Sequence, residues 1–181
     1  MSAKIYWFSG TGNSLSVAKA LAIKMPDAEL IPIAYAIDNL QPTADMIGLV
    51  FPVYSFGPPA IVERFIRRMN VSPDRRIFAV CTCAGFAGST QYHLSNMLDR
   101  RGLKLDAFWI VQQPENYPAL GGPPGSAAQE KIQTAAVGKI DRIAEELKSG
   151  SRGRFEKTGP FWQIAGRVAY PVFRWFERHG A

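Results

Sequence analysis

Two cysteines and two histidines are all that this 181-residue chain contains of those residue types. Cys81 and Cys83 are one residue apart, and two thiols cannot supply a four-ligand zinc or iron–sulfur site, so no metal centre is expected. Neighbours on one strand face are poorly placed to bridge each other, and reduced thiols in a cytoplasmic protein are the expectation. His93 falls on a mid-chain helix and His179 near the end. No Gly-x-Ser-x-Gly elbow leads into a helix with Asp and His following in order, which argues against a hydrolase and leaves no catalytic acid or base to assign. There is no clean apolar run of 18 residues, hence no expected membrane span. Met1-Ser2-Ala3-Lys4 runs straight into a strand-like segment and does not read as a signal peptide. Internal repeats and low-complexity linkers are absent too.

What is present suits an ordinary globular chain: 47% apolar and 20% charged residues argue against disorder. The formal net charge is +6, with a pI near 9.5, and it is unevenly spread. Residues 1–149 carry 15 basic and 13 acidic side chains, and residues 150–181 carry 6 and 2, so the tail holds +4 of the total. Such an excess attracts acidic proteins, anionic lipid or nucleic acid without choosing among them, and nothing else points to nucleic acid.

Apolar strand-like runs alternate with helical patterns along the chain. Strands are expected at Lys4–Phe8, Glu29–Ile33, Met46–Phe51, Arg76–Thr82 and Lys104–Val111. Helices are expected at Asn13–Lys24, Pro59–Met69, Ser89–Arg101 and Ser126–Lys148, with a loop holding Asp38, Gln41, Pro42 and Asp45 where a second helix would stand. Continuous apolar strands separated by helices predict an α/β fold: a doubly wound, five-stranded parallel sheet in the order 2-1-3-4-5. Residues 1–150 form that unit, and 151–181 a basic, aromatic helical extension with seven of the 21 aromatics. On it, Trp162, Ala165, Ala169, Val172 or Phe173, and Phe176 share a helical stripe, while Pro171 predicts a kink or a second helix. The stripe either packs back on the sheet or docks a redox partner or a membrane face.

In an open α/β sheet a ligand sits beyond the carboxyl ends of the strands, where the strand order switches. The loop after the first strand is Ser9-Gly10-Thr11-Gly12-Asn13-Ser14. It turns directly into a helix start, so backbone N–H groups and the helix dipole converge on one point, a good place for a phosphate. Ser9, Thr11, Asn13 and Ser14 add side-chain donors, and the glycines allow close approach. No Lys or Arg is present. The Gly-Lys-Ser/Thr of a P-loop is missing, position 15 is Leu where a dinucleotide fingerprint needs a third glycine, and Ile33-Ala34 stands where that fingerprint needs an acid. A phosphate held by hydroxyls and amides alone points to flavin mononucleotide (FMN). The loop after the third strand, Pro52-Val53-Tyr54-Ser55-Phe56-Gly57, brings Tyr54 and Phe56 to the crevice as candidate stacking partners for a flat, electron-poor ring, and Gly57 as the place for a peptide flip. The loop after the fourth strand, Thr82-Cys83-Ala84-Gly85-Phe86-Ala87-Gly88-Ser89, is small and flexible enough to run along a ring edge, and Asn116 and Tyr117 after the fifth strand close the far side.

These segments together resemble flavodoxins, and more narrowly the flavodoxin half of a bacterial and archaeal family in which such a domain is fused to a ferredoxin. The carrying residues are Tyr6 to Ser14, Phe51 to Tyr54 with Gly57 and Pro59, Val80 to Gly85, and Pro114 to Tyr117. The resemblance implies FMN binding and electron transfer, with phosphate contacts at Ser9, Thr11, Gly12, Asn13 and Ser14 and ring contacts from Tyr54–Gly57 and Thr82–Gly85. The ferredoxin half and its Cys ligands are missing, which implies exchange of electrons with a separate protein, such as a ferredoxin or another iron–sulfur protein, or with a small molecule. Familiar flavodoxins are acidic and this chain is basic, so its reduced flavin should be easier to form.

An electron carrier needs no acid or base from the protein, which fits the residues available. The alternative is an FMN-dependent NAD(P)H reductase of a quinone or similar small acceptor. A non-redox binding module on the same fold is the third reading.

Overall fold

The computed structural model describes residues 2–37, 44–115 and 122–179. Among them lies one parallel sheet of strands β1 (Ala3–Trp7), β2 (Ala28–Pro32), β3 (Met46–Pro52), β4 (Arg76–Cys83), β5 (Leu105–Gln112) and β6 (Arg154–Phe155). Its order is β2-β1-β3-β4-β5-β6, six strands where five were expected. The additional strand is short: Arg154 and Phe155 pair with Ala107 and Phe108 of β5. Two residues carry too little alternation to read as a strand, and only the neighbouring edge makes them one.

Side-chain alternation in the central strands divides the core into two layers. Ile47, Leu49 and Phe51 of β3 and Ile77, Ala79 and Cys81 of β4 pack with α2 (Ile33–Ala36), α3 (Ala60–Arg68) and α4 (Thr90–Asp99). Met46, Val50, Phe78 and Val80 pack on the opposite face with α1 (Asn13–Ile23) and α5 (Ser126–Lys148). Both faces are thus covered, as continuous apolar strands require. The short α2 occupies part of the stretch read as loop; Asp38, Gln41 and Pro42 lie outside the described residues. The β4–β5 register shifts between Ile77 and Phe78, and there the Asp106 carboxylate accepts from the Ile77 N–H at 2.9 Å.

The last helix, α6 (Pro160–His179), is continuous through Pro171, so no second helix starts there. It does not pack on the sheet. It crosses the α3–α4 layer and the loops at the carboxyl ends of β3 and β4. Its buried positions are Gly166, Tyr170 and Arg174, spaced by four, and Val172 and Phe176 of the expected stripe face outward. The packing face is rotated because its contacts include a glycine and an ion pair that hydrophobic periodicity does not score. Arg174 Nε and Nη2 donate to Glu63 Oε2 of α3 at 3.0 and 2.6 Å, and Arg174 also pairs with Glu177.

Candidate functional site

The carboxyl ends of β1, β3, β4 and β5 deliver four loops to one crevice. Ser9 to Gly12 forms the first. Gly12 N donates to Ser9 Oγ at 3.0 Å, folding the loop onto itself. Gly12 is the N-cap of α1 at φ 99°, a left-handed conformation that disfavours a side chain. The first intrahelical bond runs from Ser16 N to Gly12 O at 2.9 Å, so the N–H groups of Asn13, Ser14 and Leu15 have no acceptor in the helix. Gly10, Thr11 and Gly12 are exposed, and a Cβ at Gly12 would meet no atom within 4 Å. Open space in front of unspent N–H groups is the structural requirement for an anion.

The side chains of Asn13 and Ser14 are engaged with other loops. Ser14 is buried, with Oγ 2.7 Å from Thr82 Oγ1 of β4, and Asn13 Nδ2 donates to Pro114 O at 3.1 Å. They bind the first loop to the third and fourth loops. Ser9 and Thr11 carry the hydroxyls nearest the solvent side.

After β3, Val53 N donates to Thr82 O at 2.9 Å, and residues 54–57 close a tight turn. Tyr54 N bonds to Gly57 O at 2.9 Å and Gly57 N to Tyr54 O at 3.0 Å. The turn is tipped by Ser55 at φ 46° and Phe56 at φ 71°. Two consecutive L residues in the left-handed region store strain of about 1–3 kcal/mol each, and such strain collects at ligand sites. Both backbone polar groups of Gly57 are bonded to Tyr54. Gly57 is glycine for space: a Cβ would lie 2.2 Å from the Tyr170 ring of α6.

Phe56 does not face an open crevice. Its ring stacks with Phe86 (centroids 6.0 Å) and Trp162 (6.1 Å), and Phe86 and Trp162 stack on each other at 3.8 Å. The Phe56 carbonyl accepts from Ser89 N at 3.2 Å. Tyr54 is the aromatic left at the rim: it is exposed, edge-on to Phe8 at 6.2 Å, with its hydroxyl against Gly10.

In the third loop Thr82 is buried, Cys83 partly so, and Ala84 and Gly85 are exposed. Burial pushes the Cys83 thiol up to about 11, so it stays protonated at neutral pH and is no nucleophile. Cys81, fully buried, is pushed up further by the same cause. In the fourth loop Gln113 N donates to Cys83 O at 2.9 Å. Asn116 and Tyr117 lie outside the described residues.

The sequence reading missed Trp162 and Tyr170 as neighbours of the crevice. The aromatic richness of the tail was the available signal, but not its destination. Tyr170 OH donates to Pro58 O at 2.7 Å, and His93 Nε2 lies 3.3 Å from Gly166 O with its ring 4.4 Å from Tyr170. His93 is thus a packing residue under α6, and burial lowers its pKa below 6.5.

No protein-family model matches the chain, and no curated protein matches it. Solved structures do. A flavodoxin from Streptococcus pneumonia TIGR4 superposes with a TM-score of 0.54 at 14% identity, over 83% of this chain and 99% of the other. An FMN-dependent NADH-azoreductase from Bacillus anthracis, solved in complex with FMN, gives 0.56 at 11% identity, over 81% and 99%. A flavoprotein of unassigned role from Bacteroides uniformis gives 0.51 at 14% identity, over 74% and 96%. At these identities the likeness establishes architecture: the chain has a flavodoxin-like fold.

Proposed function

We propose that the protein binds FMN in this crevice and acts in electron transfer. The observation that carries the reading is the first loop, where the N–H groups of Asn13, Ser14 and Leu15 precede the first intrahelical bond, the space in front of Gly12 is open and no basic residue is present. A dianionic phosphate monoester suits such a cradle, because charge-assisted bonds are about twice as strong as neutral ones. The donor set fits the group at the ring end as well. Tyr54 supplies an exposed aromatic at the rim, and Gly85 leaves space, with no atom within 4 Å of where its Cβ would be.

When bound, the flavin supplies reversible one- and two-electron chemistry; the protein supplies position and electrostatics. Ser9, Thr11, Gly12 and the first turn of α1 bind the phosphate. Asn13 and Ser14 hold that loop against Pro114 and Thr82. Tyr54 and the strained Ser55–Phe56 turn cover one side of the ring, and Thr82 to Gly85 its edge. The thiols stay neutral, so the protein adds no covalent step. Phe86 and Trp162, both about two-fifths exposed at 38% and 37%, form a rim through which electrons can reach an iron–sulfur protein such as a ferredoxin. The resemblance to the flavodoxin half of the flavodoxin–ferredoxin family supports that choice of partner.

The azoreductase likeness favours one second reading, an FMN-dependent NAD(P)H reductase of a small acceptor. Loading the full chain with FMN and following NAD(P)H oxidation separates the two. A carrier shows almost no turnover without a partner protein, whereas a reductase turns over with a quinone alone. Failure to retain any flavin absorbance after loading overturns both.

A further inference from the structure

We propose that the outer face of α6 seats the protein on an anionic lipid surface. The face is defined by helix geometry. At 100° per residue, Phe161, Ile164, Val168, Val172, Trp175 and Phe176 fall within an arc of about 120°, opposite the buried Gly166, Tyr170 and Arg174. All six are between 51% and 72% exposed. The stripe runs about 22 Å along the helix axis, with aromatics at both ends and Ile and Val between them.

The surroundings are basic. Arg167, Lys157 and Arg100 form no ion pair among the described residues; Arg167 lies over the Tyr92 ring, 4.3 Å from its centroid. Arg100 lines the groove of about 360 Å³ between α6 and α4, beside Trp175 and His179. The acids nearest α6 are already neutralised: Glu63 by Arg174 and Arg67, Glu177 by Arg174, and Glu156 by Lys139 at 2.6 Å. The field outside the stripe is therefore positive.

Shape and polarity choose lipid over the other occupants. A second copy would set the same unpaired cations against each other. A specific protein interface carries about ten hydrogen bonds to fix its register, and this arc offers two polar side chains, the Trp175 indole and the His179 imidazole. A lipid surface needs no register. It needs an apolar ridge that reaches about 5–10 Å into the headgroup boundary, and cations beside it. No described helix is long and apolar enough to cross a membrane, so the contact is peripheral. The inference does not depend on FMN.

The test is flotation of the full chain with vesicles of phosphatidylcholine alone and with 30 mol% phosphatidylglycerol, followed also by tryptophan emission. The comparison protein is Ile164→Gln/Val168→Gln, which alters two exposed side chains and leaves the packing face intact; circular dichroism verifies its fold. Binding to the mixed vesicles, at least tenfold weaker in 0.5 M salt and at least tenfold weaker in the variant, with a blue shift for the parent, is the expected result. Absence of binding to either vesicle, equal binding of variant and parent, or a concentration-dependent dimer that the variant abolishes overturns the proposal.

Discussion

At the end of the crevice where the phosphate is proposed to bind, six consecutive residues, Ser9 to Ser14, supply the donors and the helix start. At the ring end, the surface is assembled from Tyr54, Phe86 and Trp162, which are up to 108 residues apart in sequence. The first end is a local device: a glycine at φ 99°, a hydroxyl folded back on its own loop, and a helix dipole. The second exists only because α6 clamps the loops, with Tyr170 against Gly57, His93 against Gly166, and Trp162 against Phe86. Ligand affinity should therefore respond to changes at the first end without much loss of fold. The second end should lose stability and site together.

The largest effect is expected for Tyr170→Ala. Tyr170 is 4% exposed, fills the space beside Gly57 and donates to Pro58 O. Truncation should cost about 3–5 kcal/mol, measured by urea denaturation, as for other large aromatics in cores. A loss under about 1 kcal/mol would mean that α6 is not clamped there. Next comes Arg174→Met, which leaves Glu63 partly buried with fewer partners. About 3 kcal/mol is expected by the same measurement, with recovery in Glu63→Gln/Arg174→Met.

At the other end, Thr11→Val removes one charge-assisted bond worth about 1.5–3 kcal/mol, so FMN should bind roughly ten- to 150-fold more weakly with an unchanged melting temperature. Ser14→Ala should differ from it. It leaves Thr82 Oγ1 without its buried partner, so stability falls by about 1–2 kcal/mol as well. If the two variants behave alike, the Ser14–Thr82 bond does not hold the first loop.

The smallest effect concerns pH. His93 is partly buried, which lowers its folded pKa below the 6.5 of the unfolded chain. Below pH 6.5 the unfolded state then binds more protons, so this contribution is present above 6.5 and is lost as pH falls through the folded value. His93→Gln should flatten the fall in stability between pH 7 and 5, read from urea midpoints. An equally steep fall in the variant would assign it to other groups.

The contrast also explains what could be read in advance. The parallel order of β2-β1-β3-β4-β5 and the exact span of α5, Ser126–Lys148, follow from apolar runs and helical periodicity, which are local. The first loop was legible as a turn into a helix start because its glycines, hydroxyls and helix start are contiguous. Phe56 read as a ring-stacking residue because nothing near it in sequence reveals Phe86 and Trp162. The lack of space at Gly57 was not legible because the Tyr170 ring that fills it lies 113 residues away. β6 escaped because a two-residue edge has no pattern of its own.

The account rests on a phosphate cradle made without cations. Isothermal titration of the flavin-free full chain with FMN and with riboflavin, which lacks the phosphate, tests it most directly. FMN should bind at least about 100-fold more tightly, the equivalent of two charge-assisted bonds of about 1.5 kcal/mol each. Equal affinities, or no binding of FMN at all, would contradict it.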